Sequence, residues 1–176
     1  MVYDMSDTGT GTAPDPIFSP EDGLAKLWVL AYQGEVLGER LFGRLAEDLE
    51  ARHEADHAAK MRVLATLERL TKEAVVPALE RAGISTEPDD EMLGAADALA
   101  DGSRESTWEQ VMGSFEGITG QFLGLYERIG ELDLTERAVS ELLVAHEVAL
   151  RDFARAELAG HVATSLDPIN ALAHMR

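Results

Sequence analysis

The chain has 176 residues, of which 45% are hydrophobic and none is cysteine. These values suit one folded domain, and they exclude disulfides, thiolate metal sites and cysteine nucleophiles. The formal net charge of −18 disfavours nucleic acids and membrane surfaces as partners. Because the sequence also lacks a membrane-spanning segment and the pattern of a signal peptide, we expect a cytoplasmic protein.

The first predicted element follows a polar N-terminal tail. Residues 1–18 are rich in Gly, Thr, Pro and Asp and are expected to be disordered, whereas residues 19–176 are expected to form one helical bundle. Ser19 and Pro20 suit the start of a helix, since Ser caps free amide groups and Pro is tolerated in the first turn. Apolar residues at helical spacing extend this helix to about Ala46, and the acidic residues 47–50 are expected to form the turn.

A second helix is predicted over residues 51–81, with a kink near Glu73 caused by Pro77 and a C-terminal cap at Gly83. The connection over residues 84–105 contains a short helix, predicted at 89–99. A possible capping box at 106–109 starts the next long helix. The last long helix follows a turn near Asp133 and ends at about Ala159, and one more helical turn is expected in the tail beyond it.

The lengths of the connections predict how the helices pair. Short turns join the first long helix to the second and the third to the fourth, so each pair is expected to be an antiparallel hairpin. The connection between the hairpins, about 22 residues, is long enough to traverse the bundle. The sequence therefore predicts an all-α four-helix bundle with one long crossover. The alternative is an up-down bundle with a flexible insertion.

Three segments resemble the ferritin-like superfamily, and the resemblance extends over nearly all of residues 21–160. They are GEVLGE at 34–39, LERLT at 67–71 and AHEVAL at 145–150. The resemblance implies a ferritin-like bundle. Members commonly hold two irons, with a Glu from the first and third helices and Glu-x-x-His from the second and fourth. They store iron, reduce peroxide or activate dioxygen. Here Thr71 and Leu143 stand where that motif has His and Glu, and the true Glu-x-x-His strings at 50–53 and 54–57 lie beside the first turn.

Two glutamates and one histidine are predicted to meet inside the bundle. Folding the first hairpin near residue 50 brings Glu35 within about one helical turn of Glu68. Both lie on apolar stripes, where an ionised carboxylate must be paired, metal-bound or protonated. His146 lies on the apolar stripe of the last long helix. Carboxylate and imidazole together suit non-haem iron or manganese. The alternatives are core residues that hydrogen-bond to one another, or a metal-free site for proton transfer.

Further candidates flank this group. Folding the second hairpin near residue 133 places Glu116 level with residue 150, close enough for Glu116 and Glu147 to meet. Both are predicted as additional metal ligands, with a solvated flank or a surface ion pair as the alternative. Tyr126 or Thr71 is expected to orient a bound oxygen species as a catalytic residue.

Glycines and aromatic residues also follow stripes along the helices. Four glycines, Gly113, Gly117, Gly120 and Gly124, share one face of the third long helix. They favour close helix packing, within the bundle or across a homodimer, over a cavity beside the site. The larger aromatic side chains are expected to be core: Trp28, Tyr32, Phe115, Phe122, Tyr126 and Phe153.

The leading hypothesis is a metal-dependent oxidoreductase that uses dioxygen or peroxide at Glu35, Glu68 and His146. The alternatives are a metal-free bundle that acts as a binding or oligomerisation module and a metal-independent acid–base enzyme. Nothing in the sequence specifies a particular small-molecule substrate.

Overall fold

The computed structural model describes residues 17–173, which form six α-helices. They are α1 (Leu24–Ala51), α2 (Ala55–Arg81), α3 (Asp90–Gly102), α4 (Trp108–Leu132), α5 (Arg137–Leu158) and α6 (Asp167–Ala173). No strand occurs in this range, so the prediction of an all-α chain is confirmed. Within it, no helix combines the length and hydropathy needed to cross a membrane. Most of the predicted disordered tail, residues 1–16, lies outside the described residues, while Ile17 and Phe18 pack against the core.

Helix α1 begins and ends later than predicted. Residues 19–22 form a separate turn, in which the Asp22 carboxylate accepts a hydrogen bond from the Ser19 amide at 2.8 Å. The extended backbone of Gly23 then precedes the helix. At the other end, the predicted turn at 47–50 is wrong, because buried Leu49 continues the apolar stripe of α1. The chain reverses at residues 52–54, where His53 has a φ of 65°.

The remaining helix ends follow the sequence more closely. Gly83 has a φ of 68°, and the Ile84 amide donates to the Leu79 carbonyl at 2.9 Å, which confirms the predicted C-terminal cap of α2. The capping box of α4 lies one residue later than predicted, because Thr107 and Gln110 exchange the two hydrogen bonds. Helix α2 includes Pro77.

Side-chain contacts give the direction of each neighbouring helix. On the face between α1 and α4, Trp28 donates to Asp133 and Tyr126 donates to Glu35, so these two helices run antiparallel. Between α2 and α5, Thr71 contacts His146 and Arg81 pairs with Glu136, which also requires antiparallel helices. Helices α1 and α2, like α4 and α5, pack as sequential antiparallel pairs.

The connection between α2 and α4 is fixed to α1. The Gln33 side chain donates to the Glu87 carbonyl at 2.9 Å and accepts from the Asp89 amide at 3.0 Å. Beyond it, α3 buries Ala96 and Leu99 against Leu37 of α1. The segment that joins the two helix pairs therefore covers one side of α1.

Two apolar clusters fill the bundle, one towards each end. The first includes Phe42, Leu64 and Phe153, and the second includes Trp28, Leu79 and Ile129. All the aromatic residues predicted as core are buried or partly buried in these clusters. Between the clusters lies a layer of buried polar side chains, which contains the candidate site.

The glycine face of α4 differs from the prediction of close packing within the bundle. A Cβ atom added at Gly113, Gly117 or Gly120 would meet no described atom within 4 Å, and only Gly124 has a neighbour, Phe18. The first three glycines are exposed. This face of α4 is open along most of its length.

Candidate metal centre

Three helices bring two carboxylates and one imidazole together at mid-bundle. Glu35 comes from α1, Glu68 from α2 and His146 from α5, and their exposed fractions are 1%, 4% and 0%. One potential ligand atom from each lies within 4.8 Å of the other two. The structure therefore brings together the three residues that the sequence placed at the centre of the site.

The imidazole of His146 is held from both sides. Its Nε2 atom lies 3.2 Å from Glu68 Oε1, and its Nδ1 atom lies 2.9 Å from the Thr71 hydroxyl oxygen. Nδ1 is also 3.8 Å from Glu35 Oε2. Because Thr71 and Glu68 contact opposite edges of the ring, they fix its orientation within the layer. Thr71, predicted to orient a bound oxygen species, contacts the imidazole instead.

The carboxylate of Glu35 has one satisfied oxygen and one unsatisfied oxygen. The Tyr126 hydroxyl donates to Oε1 at 2.9 Å. Oε2 is buried and accepts no hydrogen bond from an amide, amine or hydroxyl group of the described residues. The carboxyl groups of Glu35 and Glu68 do hydrogen-bond to each other, which is a contact that requires a shared proton. A buried carboxylate oxygen without a donor is costly, so it requires a proton shared with a neighbour or a cation. Oε2 is the oxygen that faces His146, on the inner side of the group.

Burial dominates the electrostatics of the layer. It raises the pKa of Glu35 to about 8, where the His146 ring opposes the increase and Glu68 adds to it. Burial likewise raises the pKa of Glu68 to about 8, where a hydrogen bond with Glu35 opposes the increase and the nearby charge of Glu39 adds to it. The pKa of Tyr126 is raised well above its ordinary value by burial and by the surrounding carboxylates. Each carboxyl group therefore favours a proton at neutral pH unless a cation compensates its charge.

Two glycines on α1 make room for this arrangement. A Cβ atom at Gly38 would lie 2.5 Å from Glu68 Cδ, and one at Gly34 would lie 2.4 Å from Phe122 Cε1. Sequence reasoning did not assign a role to either glycine. The available signal was a pair of glycines four residues apart inside a helix, on either side of Glu35.

The two flanking candidates have different positions. Glu147 is buried beside the site, and the carboxylates of Glu68 and Glu35 add to the burial that raises its pKa well above the ordinary value. Glu116 is exposed and pairs with Arg155 of α5, whose hydrogen bond and charge lower the pKa of Glu116. The structure does not bring Glu116 to the group, so its prediction as a ligand is corrected to the alternative, a surface ion pair.

Of the two complete Glu-x-x-His strings, the one at 54–57 lies at the end of the bundle. His57 Nδ1 is 3.0 Å from Glu54 Oε2, and the ring of His57 stacks on Trp108 at a centroid distance of 4.1 Å. Trp108 in turn donates to Glu157, which also pairs with Lys60. This second polar network is separate from the mid-bundle layer and connects α2, α4 and α5.

The mid-bundle layer, with Glu147 beside it, therefore contains oxygen and nitrogen donors and three carboxyl groups with raised pKa. Such a group can hold a divalent cation or can store and transfer protons. Comparison with protein-family models, with curated proteins and with solved structures found no match to this chain.

Proposed function

We propose that Glu35, Glu68 and His146 bind a non-haem metal ion, iron or manganese, and that the protein is an oxidoreductase that uses dioxygen or peroxide. The observation that carries the proposal is the approach of three buried donor atoms to within 4.8 Å of one another. Carboxylate and imidazole are ligands that suit both ions.

Glu35 Oε2, which accepts no hydrogen bond from an amide, amine or hydroxyl group of the described residues, supports the presence of a cation. Glu35 and Glu68 contact a single imidazole, and the buried carboxyl group of Glu147 adds a third charge nearby. Among the described residues, no Lys or Arg side chain forms an ion pair with any of the three carboxyl groups. A divalent cation would compensate two of these charges and would satisfy Glu35 Oε2. When bound, the ion would supply Lewis acidity and, for iron or manganese, accessible oxidation states.

The protein side chains have separate tasks in this proposal. Glu35 and Glu68 supply negative charge, and His146 supplies the nitrogen ligand. Thr71 orients the imidazole ring through Nδ1, and Tyr126 holds Glu35 through Oε1 at 2.9 Å. The apolar clusters on either side exclude water from the layer, which strengthens its electrostatic interactions.

The ferritin-like arrangement is part of the same proposal. Sequential antiparallel pairs, a long connection carrying α3 and ligands contributed from inside the bundle all fit that architecture. It would account for a polar layer that α1, α2 and α5 share.

Elemental analysis tests the proposal. Protein expressed with iron and manganese supplied should contain about one or two metal ions per chain, the range this type of bundle holds. Glu68→Ala should abolish that content, whereas Glu116→Ala should retain it, because Glu116 is exposed and paired with Arg155. Both variants should first be checked for helical content. Equal metal content in all three proteins, or none in any, would reject the centre.

A second candidate is a metal-independent acid–base site. The observation that favours it is the pair of glutamates whose pKa values are raised to about 8, the range in which a carboxyl group exchanges protons near neutral pH. A protein that folds and retains these raised pKa values but binds no metal would favour this candidate.

A further inference from the structure

A partly enclosed cavity opens beside the site, lined mainly by α1, α3, α4 and α5 and by Glu68 of α2. Its free space is about 60 Å³. One water requires roughly 10–15 Å³ of such space, so the cavity has room for about five non-hydrogen atoms. Leucine, isoleucine, valine and phenylalanine side chains make up most of its wall, and Glu68 and Glu147 are its two charged lining residues. The cavity suits a small molecule with an aliphatic body.

Most polar groups in the wall of the cavity already form hydrogen bonds within the protein. The hydroxyls of Ser103, Ser114 and Thr119 each donate to a carbonyl of their own helix, at 2.9, 2.7 and 2.7 Å. Glu68 contacts His146 through Oε1. Glu147 differs, because its side chain is 4% exposed and forms no hydrogen bond or ion pair with any described residue. Its carboxyl group is thus the one wall group in the described range that lacks a polar partner.

The charges of the wall restrict the ligand further. No Lys, Arg or His side chain lines the cavity, so an anion would find no compensating charge. A cation would have to leave water for a wall that is mostly apolar. A neutral hydroxyl group needs no compensating charge and loses less hydration than an ion when it enters the cavity. Because a hydroxyl both donates and accepts, it can bond to the Glu147 carboxyl whether that group is protonated or ionised.

We propose that this cavity binds a small aliphatic alcohol of about four carbons, whose hydroxyl group bonds to Glu147 and whose chain packs against the leucine wall. That this alcohol is the substrate of the neighbouring centre rests on the proposed function. The binding itself requires only the cavity and Glu147.

Titration with 1-butanol tests the binding on the metal-free protein. Methyl resonances of Leu37, Leu41 and Leu150, which line the cavity, should shift and saturate. Glu147→Leu should weaken the affinity by about tenfold or more, and Glu147→Gln, which keeps a donor and an acceptor, should change it by less than about threefold. Ser114→Leu should remove the saturable shifts by filling the cavity, while the exposed Glu127→Leu on the same helix should not change them.

Three results would overturn the proposal: shifts that do not saturate, an affinity that Glu147→Leu leaves unchanged, or tighter binding of butylammonium or butyrate than of 1-butanol. The metal content of the wild-type protein is a separate readout. If 1-butanol binds through Glu147 in a protein that takes up no metal, the proposed alcohol pocket is supported and the proposed oxidoreductase function is rejected. If the protein takes up metal but does not bind 1-butanol, only the proposed alcohol pocket is rejected.

Discussion

Gly38 of α1 lies directly against the carboxyl group of Glu68 on α2. A Cβ atom at position 38 would be 2.5 Å from both Cδ and Oε2 of Glu68, well inside van der Waals contact. The position of Glu68 beside His146 therefore depends on a hydrogen atom in place of a side chain at residue 38.

Gly38→Ala should displace Glu68 and abolish metal binding. The collision should also lower the free energy of unfolding by about 1–3 kcal/mol, as overpacking of a core does. Gly43→Ala is the matched control, because it lies on the same helix with nothing within 4 Å of its added Cβ atom. It should retain the metal and raise the free energy of unfolding by about 0.5–1 kcal/mol. Metal content and urea denaturation measure both effects, and a Gly38→Ala protein with full metal content would contradict the assignment of Glu68.

The stability of the metal-free protein should fall as the pH rises. Burial raises the pKa of Glu35 and Glu68 from 4.5 to about 8, so the folded protein holds protons that the unfolded chain has released. The stabilisation is fully present below about pH 4.5 and is lost as the pH rises through about 8. Each group contributes a slope of up to about 1.4 kcal/mol per pH unit within this window.

Denaturation of the metal-free protein at several pH values between 5 and 8.5 measures this slope. Glu35→Gln and Glu68→Gln should each flatten it, because an amide does not titrate. Bound metal should also flatten it, since the ion replaces the protons. The same slope in the wild type and in both variants would show that other groups cause the pH dependence.

Tyr126→Phe should destabilise the protein and raise the pKa of Glu35 further. The substitution removes the donor to Glu35 Oε1, which is 2.9 Å away, and this hydrogen bond lowers the pKa of Glu35. Leaving the buried oxygen unpaired should cost about 1–3 kcal/mol of the free energy of unfolding. Infrared titration of the protonated carboxyl band would follow the pKa. Tyr32→Phe, which loses a bond to the Thr86 carbonyl instead, should leave that band unchanged. Identical titrations in both variants would contradict the role of Tyr126.

Alanine at Gly117 should stabilise the protein and leave its molecular mass in solution unchanged. The added methyl group has no described neighbour within 4 Å, so the gain should approach the difference in helix propensity, about 0.5–1 kcal/mol. Denaturation and sedimentation velocity test the two parts. A dimer in the wild type that Gly117→Ala dissociates would contradict this expectation and would identify the glycine face as the interface of a homodimer.

The sequence predicts the helices and the central group well because both depend on local patterns. Apolar stripes at helical spacing define the buried face of each helix, and hairpin folding then places Glu35 beside Glu68. His146 follows from its position on an apolar stripe of α5. These inferences require only spacing along the chain and the lengths of the turns.

The predictions that were wrong have physical causes that the spacing of residues along a helix does not specify. The start of α1 is shifted because the Asp22 carboxylate satisfies the Ser19 amide in a separate turn, an interaction that competes with helix capping over a few residues. Glu116 was misplaced because a residue on the flank of a stripe can turn inward or outward, and its ion pair with Arg155 holds it outside. The role of Gly38 depends on the distance between two helices, which spacing along a single helix does not specify.

The ligands of the centre are divided between the two helix pairs. Glu35 and Glu68 belong to α1 and α2, whereas His146 belongs to α5 of the other pair. An ion that binds all three therefore binds only when the pairs are docked, and its affinity is thermodynamically linked to that docking. Metal should slow the separation of the two hairpins more than the fraying within either one, so amide exchange at the α2–α5 boundary would report occupancy of the site.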